Sequence, residues 1–253
     1  MVRFARLKIS VLASLVLCAG LGQAQEGEFN ELGWEPAWEE EEVTPPVTQY
    51  KNELRIDEVV LSPEQWLADM HRQAELALDQ GRWAQGEALL SQALAEYPDD
   101  IHTRLKLASL LFGRGALSQA REQLQQGLKQ NPEQADLRLS LARLLAEEQR
   151  YPAAFKVLSH ASPNMSRHLD YYSLKADMAR RADHCEQAKA LYQELLNYNS
   201  VGSWWLGLGL CQRKLGENFT HAFSEARASA DLGQASLRFV EQQLEQYETT
   251  QTH

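Results

Sequence analysis

Cysteine is scarce in this chain, with three in 253 residues, at Cys18, Cys185 and Cys211. So few cannot frame a disulfide-built domain, and the fold must rest on a hydrophobic core. Basic side chains are also in the minority, 25 Lys and Arg against 35 Asp and Glu. Binding to nucleic acid needs clustered cations for the phosphates, so no nucleic-acid partner is expected. The alternation of apolar and polar residues that marks a half-buried strand is missing as well. His102, His160, His168, His184 and His221 show no H-x3-H or C-x2-C spacing, so neither a metal nor a cofactor is expected. No Ser/His/Asp pattern and no paired carboxylates stand out, and the chain does not read as an enzyme. Even "SWWLGLGLCQRKLG" (203–216), which contains a Gly-x-Gly, fails as a phosphate loop. Gln212 stands where the third glycine belongs, and no β-branched run precedes Gly207.

Long apolar runs are absent too. The longest, residues 9–21, has 13 residues, short of the roughly 20 that span a bilayer comfortably. Arg3, Arg6 and Lys8 precede it and Gly22-Gln23-Ala24 follows, the layout of an export signal cleaved after residue 24. The alternative is an uncleaved inner-membrane anchor carrying a periplasmic domain. A lipoprotein signal fits less well, because Leu17 precedes Cys18 where a small residue belongs. Removing 1–24 leaves 22 basic and 35 acidic residues, a net charge of −13.

Residues 25–60 form an acidic linker. Between 25 and 50 lie eight glutamates, no Lys or Arg, and Pro36, Pro45 and Pro46, a composition that favours disorder. "FNELGWEPAWEEEE" (29–42) sets Phe29, Trp34 and Trp38 among the acids. These are either aromatics left in water or a short motif that docks on a partner or on the chain's own fold.

What the chain has in quantity is helix with a period. In "LSPEQW" (61–66), Ser62 is an N-cap, Pro63 suits the first helical position, and Gln65 completes a capping box. From there small residues recur every 34 positions: Gly86, Ala120, Ala154, Ala188, Ala222. A second small column, Ala74, Ala108, Ala142, Ala176, lies on the preceding helix. Large columns read Trp83, Leu117, Tyr151, Cys185, Phe219 and Leu90, Leu124, Leu158, Tyr192, Ala226. Small side chains let paired helices approach, and large ones fill the gap to the next pair. The pattern predicts an all-α solenoid of five helix–turn–helix units, about 67–100, 101–134, 135–168, 169–202 and 203–235. A capping helix over 234–248 puts Leu237, Val240 and Leu244 on one face, and 249–253 is a tail.

These columns resemble the tetratricopeptide repeat, whose W-x2-L-G…A…F…A…P unit is 34 residues long. Gly81 and Gly115 fall at the turn between the helices, and Pro98 and Pro132 end the first two units. The third and fourth units carry Ser166 and Ser200 in the proline column and lack the turn glycine. A narrower resemblance rests on "VVLSPEQWLADMHRQAELALDQGRWAQGEALLSQALA", "WWLGLGLCQRKLG" and "LRFVEQQLEQ". These segments are similar to MshN-type proteins, which take part in biogenesis of the mannose-sensitive haemagglutinin (MSHA) type IV pilus. The resemblance implies a non-catalytic scaffold with pilus assembly components as protein partners. A general repeat adaptor for another envelope machine is the alternative.

The tetratricopeptide resemblance also implies a concave groove lined by the first helix of each unit, where peptide segments bind. Carried onto this chain, the groove positions are His102, Leu105, Ser109 and Phe112, then Asp136, Leu139 and Arg143. The fourth unit gives Asp170, Ser173, Asp177, Arg180 and Arg181, and the fifth gives Ser203, Leu206, Leu210, Arg213 and Lys214. Arg143, Arg180, Arg181, Arg213 and Lys214 make one end basic. They are either solvated charges near helix C-termini or a receptor for an acidic peptide, including residues 35–42 of the chain itself. Cys185 and Cys211 fall at the same end of an up–down array, as a disulfide or as two packed thiols.

Overall fold

The structure is a computed structural model, and it describes residues 61–251. The export segment, the acidic linker with its aromatic motif and the last two residues of the tail lie outside the described residues. Within them are eleven α-helices and one 3₁₀ turn.

The first unit pairs α1 (Pro63–Asp79) with α2 (Trp83–Glu96), the second α3 (Ile101–Gly113) with α4 (Leu117–Gln130). The third pairs α5 (Ala135–Glu147) with α6 (Tyr151–Leu158), the fourth α7 (Leu169–Arg181) with α8 (Cys185–Leu196). The fifth pairs α9 (Gly202–Lys214) with α10 (Thr220–Ala228), and α11 (Gln234–Gln251) closes the array. Each helix packs on the next in sequence. The first helices of neighbouring units also touch, α3 on α5, α5 on α7 and α7 on α9. At the N-terminus, the Ser62 hydroxyl accepts from the Gln65 N–H at 3.2 Å, and the Gln65 side chain accepts from the Ser62 N–H at 3.0 Å.

The small columns do what close packing asks of them. Ala120, Ala154 and Ala188 are fully buried, and Ala74, Ala108, Ala142 and Ala176 are no more than 3% exposed. A Cβ on Gly86 would come within 2.8 Å of Leu78 Cδ2 and 3.4 Å of the Ala74 carbonyl oxygen, so a larger residue there would have to displace the Leu78 side chain. Leu90, Leu124, Leu158, Tyr192 and Ala226 are likewise buried. The column headed by Trp83 is mixed. Cys185 is buried, Leu117, Tyr151 and Phe219 are partly covered, and Trp83 is 54% exposed. Trp83 opens α2 in the first of the described units, and among the described residues no earlier unit contributes a wall there.

The turns share one geometry despite differing sequence. Gly81, Gly115, Gln149, Asp183 and Gly216 all have φ between 59° and 79°. The following N–H bonds back to the first helix each time, Arg82 to Ala77, Ala116 to Leu111, Arg150 to Leu145, His184 to Ala179 and Glu217 to Gln212. This is a Schellman closure, which satisfies carbonyls that the helix end would otherwise leave open. Gln149 and Asp183 adopt a left-handed conformation that glycine reaches more easily.

Two features depart from the even array. Helix α6 has 8 residues where α2 and α4 have 14. Pro163 follows, offers no N–H and biases its predecessor away from helix, and the chain makes the 3₁₀ turn Met165–Arg167 before α7. At the far end α11 runs past residue 248 to Gln251, with Val240 and Leu244 buried beside Phe223 and Ala226.

Candidate functional site

Residues on the first helices meet in two adjoining hollows. One, about 170 Å3, is walled by Leu105, Ala108, Ser109 and Phe112 of α3, Leu124 of α4, and Ser140, Arg143 and Leu144 of α5. Phe112 keeps 40% of its surface exposed there, although it is a large apolar side chain on a folded domain. The second hollow joins Arg143 to Asp170, Ser173, Leu174 and Asp177 of α7, Tyr192 of α8, and Ser203 and Trp204 of α9. It is polar and braced, since the Trp204 indole N–H donates to Ser173 Oγ at 2.8 Å. Arg143 stands between the two, its guanidinium 3.1 Å from Asp170 with both partners more than half exposed. Such a pair contributes little stability, which leaves Arg143 open to exchange Asp170 for another carboxylate.

The predicted groove residues therefore divide. Leu105, Ser109, Phe112 and Arg143 come together, as do Arg143, Ser173 and Asp177. Leu139 does not line either hollow. It is 6% exposed and belongs to the core, where burying its apolar surface is favourable. His102 lies to one side, its ring edge-on to His71 at 5.0 Å. Leu206 and Leu210 pack against the C-terminal cluster around Phe223 and Val240.

The basic end is largely self-neutralised. Arg180 and Arg181 both bind Asp177, at 2.6 and 2.8 Å. Arg181 also lies over the Tyr151 ring, 5.1 Å from its centroid. Lys214 pairs with Asp183. Arg213 donates to Gln243 Oε1 and covers the Phe239 ring at 5.7 Å, so α11 occupies it. Five cations thus carry three carboxylates within the fold.

Cys185 and Cys211 lie where α8 begins against α9, both buried, and they are free thiols in this structure. Burial pushes the Cys211 thiol up to about 12, with a hydrogen bond to Cys185 adding to the rise. Cys211 is therefore protonated at neutral pH, and a buried neutral thiol is a poor nucleophile. His184, beside Cys185 in sequence, is exposed and packs on Phe155 at 5.2 Å instead.

Sequence reasoning missed a repeated arginine. Arg104, 3% exposed, donates to the Pro98 carbonyl and to Gln123, Gln126 and Gln130. One unit later, Arg138 donates to the Pro132 carbonyl at 2.8 Å and to the Val157 carbonyl at 3.0 Å. Each ties the loop before its own helix to the second helix of its unit. Arg at 104 and 138 was visible as a 34-residue echo, but nothing in the sequence signalled burial of a cation.

Residues 77–135 and 111–178 match a sequence model of the tetratricopeptide repeat. No characterised protein matches the chain by sequence. Among solved structures, the fold is similar to a crystal structure of MamA protein, with 16% identity over 64% of this chain and 91% of that one, TM-score 0.56. The MamA RS-1 ArsTM double mutant gives 13% identity over 65% and 94%, TM-score 0.57. A tetratricopeptide repeat protein from Parabacteroides merdae ATCC 43184 gives 14% over 65% of this chain and 64% of that one, TM-score 0.53. The described domain is an α-solenoid of tetratricopeptide type.

Proposed function

We propose that this protein is a non-catalytic scaffold that holds a peptide segment of a partner along its first helices. One observation carries the reading: Phe112 stands exposed in an apolar hollow with an exchangeable arginine at its edge. A hollow of about 170 Å3 suits one large apolar side chain, and Arg143 suits a carboxylate beside it. Tetratricopeptide architecture supports the same role, since its stacked helices build extended binding surfaces.

The proposed setting is assembly of an MSHA-like type IV pilus, with pilus assembly proteins as partners. Its support is the similarity of the 59–95, 204–216 and 237–246 segments to MshN-type proteins. The proposed location is the periplasm, reached through the export segment at 1–24, or held at the inner membrane through residues 9–21. Crosslinking in cell envelopes, comparing the native chain with Phe112→Asp, tests the scaffold. Recovery of pilus assembly proteins by the native chain, lost in the variant, is the expected result. Other envelope proteins recovered in the same Phe112-dependent way would point to a general adaptor. Equal recovery by both forms would remove the hollow from the function.

A further inference from the structure

Apart from the two hollows on the first helices, the third unit holds another, of about 290 Å3, between α4 and α6. Its floor is apolar, made by Leu141 and Leu145 of α5 with Ala153 and Val157 of α6, and its rim carries Arg121, Arg138, Arg150, Lys156 and His160. Both Glu148 carboxylate oxygens accept from Arg121 Nη1, at 2.7 and 2.8 Å, and Oε2 also accepts from Arg150 at 3.3 Å. Four permanent cations thus meet one carboxylate, an excess of three in a protein of net negative charge. Among the described residues, Lys156 has no ion-pair partner, and Arg138 uses its donors on two backbone carbonyls.

Apart from Arg138, which repeats as Arg104 one unit earlier, the charge belongs to this interval alone. One unit earlier, the positions of Arg121, Arg150, Lys156 and His160 hold Glu87, Ala116, Glu122 and Gln126; one unit later they hold Phe155, His184, Ala190 and Glu194. The opening has a local cause as well. In the second unit the long α4 carries Gln123, Gln126 and Gln130, whose side chains close over Arg104. In the third unit the chain leaves the helix after Leu158, so the residues matching Gln126 and Gln130, His160 and Asn164, lie beyond the end of α6. Arg138 is left at an open slot instead of under a lid.

We propose that this slot is a second binding site, for an acidic peptide segment that carries an apolar residue. The apolar side chain fills the floor over Leu141 and Leu145, and flanking carboxylates meet Arg138, Arg150 and Lys156. A flat anionic membrane laid on this face would also meet the exposed Glu122 and Glu194, and the slot is only one helix interval wide. A single peptide strand meets the cations without those acids. The site is separate from the Phe112 hollow and stands without it.

The test uses the full chain and a fluorescein-labelled Glu-Leu-Glu-Glu-Leu-Glu peptide, followed by fluorescence anisotropy. The expected result is binding that weakens with salt and falls at least about tenfold in R150E/K156E, with helical circular dichroism unchanged. In a Phe112→Asp background, which removes the inner hollow, the R150E/K156E reversal still costs the same tenfold, and this separates the slot from that hollow. Peptide binding unaffected by the charge reversal overturns the proposal, as does no binding at low salt. Co-sedimentation with phosphatidylglycerol vesicles that the reversal abolishes, without peptide binding, would overturn it in favour of a lipid surface.

Discussion

Gly209 offers a test in which two forces of known sign oppose each other. It sits inside α9, and a Cβ there would lie 2.3 Å from Phe223 Cδ1 and 2.4 Å from Cε1. Carbon atoms in good contact are about 3.5–4.0 Å apart, so the ring would have to retreat by more than about 1 Å. Phe223 has nowhere to go: it is fully buried, with the Phe219 ring at 5.0 Å and the Phe239 ring at 6.3 Å. Helix propensity pulls the other way, favouring Ala over Gly by roughly 1 kcal/mol in a helix interior. Overpacking of a closed core costs about 1–3 kcal/mol. Packing wins, and Gly209→Ala lowers stability by about 1 kcal/mol, with Gly209→Leu lowering it further.

The control is Gly113→Ala in α3, where an added Cβ meets nothing within 4 Å. There propensity acts alone, and stability rises by about 0.5 kcal/mol. Urea unfolding followed by circular dichroism gives both signs. Because a solenoid's stability is a sum over neighbouring units, hydrogen exchange in Gly209→Ala should quicken in α9–α11 and stay unchanged in α1–α4. Stabilisation by Gly209→Ala equal to that by Gly113→Ala would refute the close α9–α10 contact.

Arg104→Ala leaves the Pro98 carbonyl and three glutamines without their donor, and costs about 2–4 kcal/mol in urea unfolding; Arg104→Lys does not restore it, since one ammonium cannot fork to those acceptors. Gln149→Gly relieves a φ of 59° and raises stability by about 1 kcal/mol in the same assay, whereas loss of stability would contradict the left-handed turn. Burial, then Lys106 and His102, hold His71 below the ordinary histidine value, so the folded state binds that proton more weakly than the unfolded chain. Its contribution is complete above about pH 6.5 and is lost as pH falls, and urea midpoints of His71→Gln should show a shallower decline between about pH 7 and pH 5. Under the proposed export to an oxidising compartment, Cys185 and Cys211, which share a hydrogen bond, form a disulfide, and the non-reduced protein should be lighter by two hydrogens than the reduced form. Full mass, with alkylation of both only after unfolding, would identify packed thiols instead.

The array was legible because close packing writes itself into columns. A position that touches another helix at short range tolerates only small residues, and that constraint recurs every 34 residues from Gly86 to Ala222. The turns were legible only where glycine marked them. Gln149 and Asp183 take the same left-handed conformation because the surrounding Schellman bonds hold them there, and a polar residue carries no mark of that.

Charge was harder still, because its meaning depends on partners distant in sequence. Arg180, Arg181 and Lys214 allowed two readings in sequence, solvated charges or a receptor for acids, and the structure pairs them with Asp177 and Asp183, on α7 or at its turn. Arg121, Arg138, Arg150 and Lys156 are scattered over 36 positions and suggested nothing together. They converge around the ground between α4 and α6, over α5, which α6 leaves open by stopping early. A periodic fold hides its exceptional site in the unit where the period fails, and Pro163, soon after a helix about half its expected length, is where this chain departs from its own pattern.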